Sequence, residues 1–236
     1  MAKEYRIKII GEGNLPESSA CTLGISVGGH FHEGDKFRAT VKWVSTNFNY
    51  CHIFVCDTLQ RYNHKDFYLG DKERARQESR RQGDQWIKNN RLAFESFSIR
   101  YDVGRWDDWT AHERFPEYWE TMQRLFKDCR PFREALEGDV SRFLNNNWSR
   151  LANDGVSYQI RFEGGLNYML EELAVLAIIS EEKSPVEIYA GPDSKGARLL
   201  KQERVKGTPL GLLNRSAIKI DFRGVASSQT LLKSVA

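Results

Sequence analysis

Residues 20–30 read Ala20-Cys-Thr-Leu-Gly-Ile-Ser-Val-Gly-Gly-His30, and this stretch decides the fold. Leu23, Ile25 and Val27 suit the interior of a buried strand. Gly28 and Gly29 then permit a tight bend and leave room for a ligand close to the backbone. From Glu33 the period changes. Phe37, Thr40, Val41, Val44 and Phe48 recur at spacings of three and four, which predicts a helix to about Phe48. Ser26 thus stands where a strand exits toward a helix N-terminus. Free amides there stabilise an oxyanion, and a hydroxyl there can serve as a nucleophile. A glycine-flanked serine that only makes a turn shows the same short pattern, so both readings stay open on this stretch alone.

Working outward, Tyr5–Ile10 alternates as a short strand closed by Gly11-Glu-Gly13, and residues 16–19 read as loop. Tyr50–Cys56 is a second apolar strand ending in Asp57-Thr58. Strand, helix, strand, helix in this order predicts a parallel sheet with ligands at the carboxyl ends of its strands, where Ser26 and Asp57 both lie. Residues 97–101 alternate as a third strand, Val186–Tyr189 forms a fourth before Ala190-Gly-Pro192, and residues 218–222 form a fifth. Residues 106–114 read as a short helix or loop. Pro116 and Pro131 each start a helix, the first to about Asp128 and the second to about Ala152. The segment 193–215 reads as basic and loop-rich, and the tail after Gly224 as frayed.

Composition excludes several classes. The 236 residues are 40% hydrophobic and 12% aromatic, which supports a sizeable core and argues against global disorder. A net charge of +3 does not by itself imply a nucleic-acid partner. Cys21, Cys51, Cys56 and Cys129 make no Cys-x-x-Cys pair and read as reduced thiols of a cytoplasmic protein. His30-x-His32 would be half of a metal site, but no partner ligands follow at useful spacing, so no metal is expected. The N-terminus lacks the apolar core of a signal peptide, and no run has the roughly 18 apolar residues of a membrane helix.

Two helical stretches carry chemistry. Residues 70–94 form a long polar helix in which Arg74, Arg81 and Lys88 are seven apart and share a face, with Arg80 and Arg91 close by. It is either a solvated helix laced with ion pairs or a ridge that tracks phosphates. Residues 164–180 form the most apolar helix. Tyr168 and Glu172 are four apart on one face, whereas Glu171 should point elsewhere into solvent. An acid in so apolar a helix is costly without a partner or a task.

Gly-x-Ser-x-Gly at 24–28 suggests a nucleophile elbow, but that fold needs an acid and then a histidine after the serine. The last histidine here is His112, ahead of every late strand end. A serine working without histidine needs an activated ester, and aminoacyl-tRNA is one. At this point the chain resembles the tRNA-dependent cyclodipeptide synthases over roughly residues 20–222. Leu-Gly-Ile-Ser-Val-Gly at 23–28 is similar to the family's nucleophile motif, and Phe-Val-Cys-Asp-Thr at 54–58 to the strand end after it. Pro-Glu-Tyr at 116–118, Gly-Leu-Asn-Tyr-Met-Leu-Glu-Glu at 165–172 and Tyr189 match three further motifs in order.

The resemblance implies an α/β fold: a single Rossmann-like domain over 1–236, its ordered core about 5–224, with a mostly parallel sheet flanked by helices. That fold is similar to the catalytic domains of class I tyrosyl- and tryptophanyl-tRNA synthetases. It also implies an aminoacyltransferase that joins two aminoacyl-tRNAs into a cyclic dipeptide, with no cofactor, no metal and no membrane, acting as a cytoplasmic monomer. Ser26 would become aminoacylated, then carry the dipeptide until its free amine closes the ring. Tyr168, Glu172 and Tyr118 would hold the substrate ammonium, and Tyr189 would assist proton transfer beside Ser26. Arg74, Arg80, Arg81, Lys88 and Arg91 would contact tRNA phosphates. Thr22, Gly24, Gly28, Gly29, Phe54, Val175 and Glu187 would line the pocket for the first amino acid. Glu187 there would favour a polar or basic side chain, unless it is an exposed strand residue. One subgroup has Asn three residues after the serine and His after the last tyrosine. This chain has Gly29 and Ala190 at those positions and is nearer the other subgroup, although that subgroup has Pro where Ala190 stands. A serine esterase or acyltransferase with an unusual triad, and a non-catalytic tRNA-binding protein of the same fold, are the alternatives.

Overall fold

The structure is a computed structural model that describes residues 4–10, 18–191 and 194–224. Six strands form one sheet: β1 Tyr5–Ile10, β2 Ala20–Ser26, β3 Tyr50–Cys56, β4 Arg100–Arg105, β5 Val186–Tyr189 and β6 Ser216–Gly224. Their spatial order is β1-β6-β5-β2-β3-β4. All neighbours are parallel except β1 and β6, which pair antiparallel from Tyr5 opposite Gly224 to Ile10 opposite Lys219. β1 is an edge strand, and its alternation of half-buried and exposed residues fits one covered face.

Between the strands run α1 Gly34–Asn47, α2 Lys65–Tyr68, α3 Lys72–Asn89, α4 Arg91–Glu95, α5 Trp106–Thr110, α6 Phe115–Asp128, α7 Arg130–Leu151, α8 Tyr158–Glu182, α9 Lys195–Gln202 and α10 Leu210–Asn214. Alternation along the strands divides the core into two layers. Cys21, Leu23, Ile25, Cys51, Ile53, Val55, Val186 and Ile188 face Phe37, Val41 and Val44 of α1, Trp86 of α3 and Phe94 of α4. Phe54 and Cys56 face the opposite way, toward the buried sides of α5 to α10. The sheet therefore lies between two helical layers.

The chain leaves β2 outward to β3 and β4, then crosses back to β5 on the other side of β2. The carboxyl ends of β2 and β5 thus flank a topological switch point, where open α/β sheets leave a crevice.

Several boundaries differ from expectation for physical reasons. The third strand is Arg100–Arg105 rather than residues 97–101, because Phe97 and Ile99 pack into the first core layer and ladder pairing with β3 begins at Arg100. The long polar helix divides at Asn90, whose side chain is buried and bonds the Trp86 carbonyl at 2.9 Å. The apolar helix starts at Tyr158, not Gly164, because Ser157 caps its first turn through Ile160 N. Within 193–215, read as loop, lie α9, capped by Ser194, and α10. Residues 11–17, Pro192 and the tail after Gly224, on which the sequence carried expectations, lie outside the described residues.

Asp57 closes β3 as a structural anchor. It is fully buried, its carboxylate accepts from Arg105 Nε at 2.6 Å and Trp106 N at 3.3 Å, and Arg105 also holds Asp84. Gly83 lets α3 come this close, since a Cβ there would fall 2.6 Å from Asp57 Cβ. Removing one partner of a buried pair leaves the other desolvated and unpaired. Asp57→Ala should lower stability by about 3 kcal/mol in urea unfolding; an unchanged midpoint and slope would contradict this anchor.

Candidate active site

Ser26 is the last residue of β2 and is half-buried. Gly29 N donates to Ser26 O at 3.0 Å, and Gly28 sits at φ 82°, so the strand ends in a tight turn that needs a glycine at its third position. The chain then makes a 3-10 turn over His30–His32 before α1 begins at Gly34. Ser26 is therefore followed by the glycine turn read from the sequence, and α1 begins one residue after Glu33, where the helical period was expected to start.

Tyr189 ends β5 across the switch point, and its hydroxyl lies 3.2 Å from Ser26 Oγ. The phenol reaches there by folding over Gly191: a Cβ on Gly191 would fall 2.3 Å from Tyr189 Cε1 and 2.7 Å from its hydroxyl. Tyr168 and Glu172 present the matching face of α8. Burial first, and then the Glu172 carboxylate, push both the Tyr168 and the Tyr189 phenols above their ordinary range. The same two causes push up the thiol of Cys56, which pairs with Ser26 in register. Ser26, Tyr189, Tyr168 and Glu172 thus converge on one site in which both phenols stay protonated. Gln60 Nε2 lies 3.5 Å from the Tyr168 hydroxyl.

Tyr118 is placed apart from this group. It is buried, and its hydroxyl is bound by Glu181 at 2.9 Å and by Arg114. Glu181 is nine residues beyond Glu172, about 14 Å along the axis of α8.

Glu171 overturns an expectation. It is buried, not exposed: Trp106 Nε1 donates to it at 2.7 Å, Tyr62 OH at 2.9 Å, and Arg61 pairs with it. These partners come from the 3-10 turn Thr58–Asn63 and from α5, neither of which helical period alone could place against α8.

The proposed pocket residues lie on the site's face of the sheet. A Cβ on Gly24 would meet the Phe54 ring at 2.7 Å and Glu187 Oε1 at 3.4 Å. Thr22 is buried beside Glu187 in register and donates to Val186 O at 3.3 Å. Val175 is fully buried in the same core layer as Phe54. Glu187 is buried too and accepts from Arg215 Nε at 2.5 Å, so it is not an exposed strand residue. Arg215 came from a segment read as loop, which hid the pair.

The cations of α3 and α4 are exposed, and several have acidic partners. Arg74 pairs with Asp66 at 3.3 Å, Arg76 and Arg80 share Asp107 at 3.1 and 3.0 Å, Arg81 pairs with Glu78 and Arg91 with Glu95. Lys88 is exposed on the same helix. Both sequence readings of this helix therefore keep a footing, since exposed pairs are weak, about 0–1 kcal/mol each.

His32, read from the sequence as half of an unformed metal site, is buried beside the catalytic candidates. Its ring lies 5.9 Å from that of Tyr189 between centroids. Burial, and secondarily His30, push its pKa down to about 4. Among the described residues no group of three potential ligands could hold a metal ion, and no helix is long and apolar enough to cross a membrane.

No family model and no curated protein matches the sequence. Solved structures do match the fold. A CDPS of Fluoribacter dumoffii superposes with a TM-score of 0.82 at 24% identity, covering 94% of this chain and 100% of that one. The cyclodipeptide synthase of Candidatus Glomeribacter gigasporarum, solved bound to Phe-tRNAPhe, gives 0.72 at 19% identity over 90% and 91%. A Mycobacterium tuberculosis cyclodipeptide synthetase, described as related to type I tRNA synthetases, gives 0.59 at 16% identity over 95% and 96%. The chain has the fold of these proteins.

The buried imidazole has a thermodynamic signature. Between its ordinary value of 6.5 and its folded value of about 4, His32 is protonated in the unfolded chain and neutral in the folded one. The unfolded state then binds more protons, so stability falls as pH falls through that window. Wild type should lose about 2 kcal/mol between pH 7.5 and pH 5 that His32→Phe does not lose, as read by urea unfolding at both pH values. Equal losses would contradict a neutral buried His32.

Proposed function

We propose that this chain is a tRNA-dependent cyclodipeptide synthase. The observation that carries the reading is the Ser26–Tyr189 contact at the switch point, with Tyr168 and Glu172 facing it from α8, in a chain with this fold. Ser26 attacks the ester of a first aminoacyl-tRNA and forms an aminoacyl-enzyme. The amine of a second aminoacyl-tRNA attacks that ester and forms a dipeptidyl-enzyme. The dipeptide's own amine then closes the ring and frees Ser26. One difficult coupling is thereby divided into three exchanges of an activated ester.

The side chains divide the work. The Glu172 carboxylate and the Tyr168 phenol hold the ammonium of the bound aminoacyl group. Tyr189, kept protonated, exchanges a proton with Ser26 Oγ. The paired arginines of α3 exchange their carboxylates for phosphates when tRNA arrives, at little cost per pair. α3 carries six cationic side chains against three acidic ones, and Asp66 and Asp107 from outside it hold three of the cations, so its positive charge is freed as phosphates displace those carboxylates. The Glu187–Arg215 pair lies beside Gly24 and Phe54, where the side chain of the first amino acid would end. A lone acid would select a cation; a neutralised pair instead offers hydrogen bonds and fits an uncharged polar side chain. The enzyme works as a single cytoplasmic domain, a monomer without metal or cofactor.

An esterase would need a histidine held against Ser26 by an acid. His52 does bond Asp102 at 2.7 Å, but it lies four residues down β3 from Cys56, about 13 Å from the Ser26 level.

Incubating the protein with a mixture of charged tRNAs should yield a cyclic dipeptide, detected by mass spectrometry and absent with Ser26→Ala. In Gly191→Ala the added methyl must turn Tyr189 away from Ser26, which a flexible ring does at little cost in stability. Product formation should fall about 100-fold while tRNA binding stays within about 2-fold of wild type. Binding without product in wild type would favour the non-catalytic reading.

A further inference from the structure

The proposed chemistry leaves a buried histidine near the nucleophile unused. His32 is 4% exposed, and its Nε2 is buried without a hydrogen-bond partner among the described residues. An unsatisfied buried acceptor or donor costs free energy and calls for an explanation. Its surroundings supply one. A Cβ on Gly29 would fall 3.5 Å from Ser26 Cβ and 3.7 Å from His32 Cδ2, so the imidazole and the serine side chain lie on either side of the same small volume. The imidazole also packs on Tyr189, at 5.9 Å and a tilt of 44°. Tyr189 in turn reaches Ser26 Oγ. The ring is anchored through its backbone, since His32 O accepts from Trp86 Nε1 at 2.9 Å.

We propose that His32, acting through Tyr189, accepts the proton that Ser26 gives up. This rests on the acyl-transfer reading above. As Ser26 attacks, its proton passes to the Tyr189 oxygen while the phenol proton moves to His32 Nε2. The bond from Oγ to the acyl carbon forms, and the bond from the acyl carbon to the tRNA ribose oxygen breaks. The proton then returns along the same path to the departing ribose oxygen, so each side chain ends as it began. The step requires the Tyr189 hydroxyl to come within hydrogen-bond reach of Nε2, which has no partner among the described residues of the free protein. A neutral imidazole is the form that can accept; burial keeps it neutral in the free protein and makes it a weak base there, so the transfer draws on the negative charge that develops beside it as Ser26 attacks. The histidine that sequence order failed to supply downstream is thus six residues after the serine, brought back by the turn at Gly28 and Gly29.

Two measurements test this. The first is single-turnover acylation of Ser26 by charged tRNA at saturation, for wild type, His32→Phe and His32→Gln, with melting temperature as the fold control. The Phe variant keeps the packing and removes the acceptor, and should acylate about 100-fold more slowly with tRNA affinity unchanged. The Gln variant offers an amide oxygen that accepts a hydrogen bond but not a proton, and should stay within about 10-fold of the Phe variant. A Phe or a Gln variant as fast as wild type overturns the proposal. The second is nitrogen-15 imidazole NMR of the free protein with and without Tyr189→Phe. A shift of the His32 Nε2 signal is expected, and an unmoved signal overturns the relay. If wild type takes no acyl group from any charged tRNA, the synthase reading fails, and the NMR result still decides whether His32 and Tyr189 are coupled.

Discussion

The constraint on which the rest of the molecule depends is the crossing of the chain from one side of β2 to the other. β3 and β4 are added in one direction, β5 and β6 in the other, and the helices that make the two journeys cover opposite faces of the sheet. No helix can then cap the carboxyl ends of β2 and β5 together, and a crevice opens between them. Ser26 and Tyr189 end those two strands, so their meeting follows from topology and needs no long-range accident.

Burial around that crevice is unusually polar for a core layer. The face of the sheet that looks into the other helical layer is apolar except at the end of β4, where Arg105 meets Asp57, whereas the site's face carries Thr22, His52 and Glu187. α8 must cover that polar face and still pack as the most apolar helix. It does so by turning two consecutive acids to different partners. Glu171 is consumed by Arg61, Tyr62 and Trp106, and locks the turn after β3 onto the helix. Glu172 faces the phenols of Tyr168 and Tyr189. A buried carboxylate held by three donors secures geometry more than it adds stability, and here the geometry secured is the wall of the crevice.

Much of this was legible in the sequence, and the limits have physical causes. Runs of β-branched and aliphatic residues mark β2, β3 and β5 because both faces of those strands are buried. The pairing of Tyr168 with Glu172 follows from helical period alone. Period could not tell Glu171 from an exposed acid, because its burial depends on Arg61 and Trp106, distant in sequence. Glu187 was ambiguous for the same reason until Arg215 was in place. α9 was hidden by its charge: it buries Ala197 and Leu200 while Lys195, Arg198 and Lys201 dominate its composition. His32 was weighed as a metal ligand because sequence shows spacing and not the direction in which a tight turn sends the chain back. The two glycines that mark the turn were visible; the imidazole they deliver to Tyr189 was not.

The proposed chemistry stands on Ser26 carrying the growing product as an ester. It is tested most directly by intact-protein mass spectrometry after brief mixing with charged tRNAs, followed by peptide mapping, on wild type and Ser26→Ala side by side. A gain of one aminoacyl residue is expected on wild type alone, mapped to the peptide containing Ser26, and the added mass names the first substrate. An unmodified wild type that still binds tRNA, or an adduct that persists in Ser26→Ala, would contradict it.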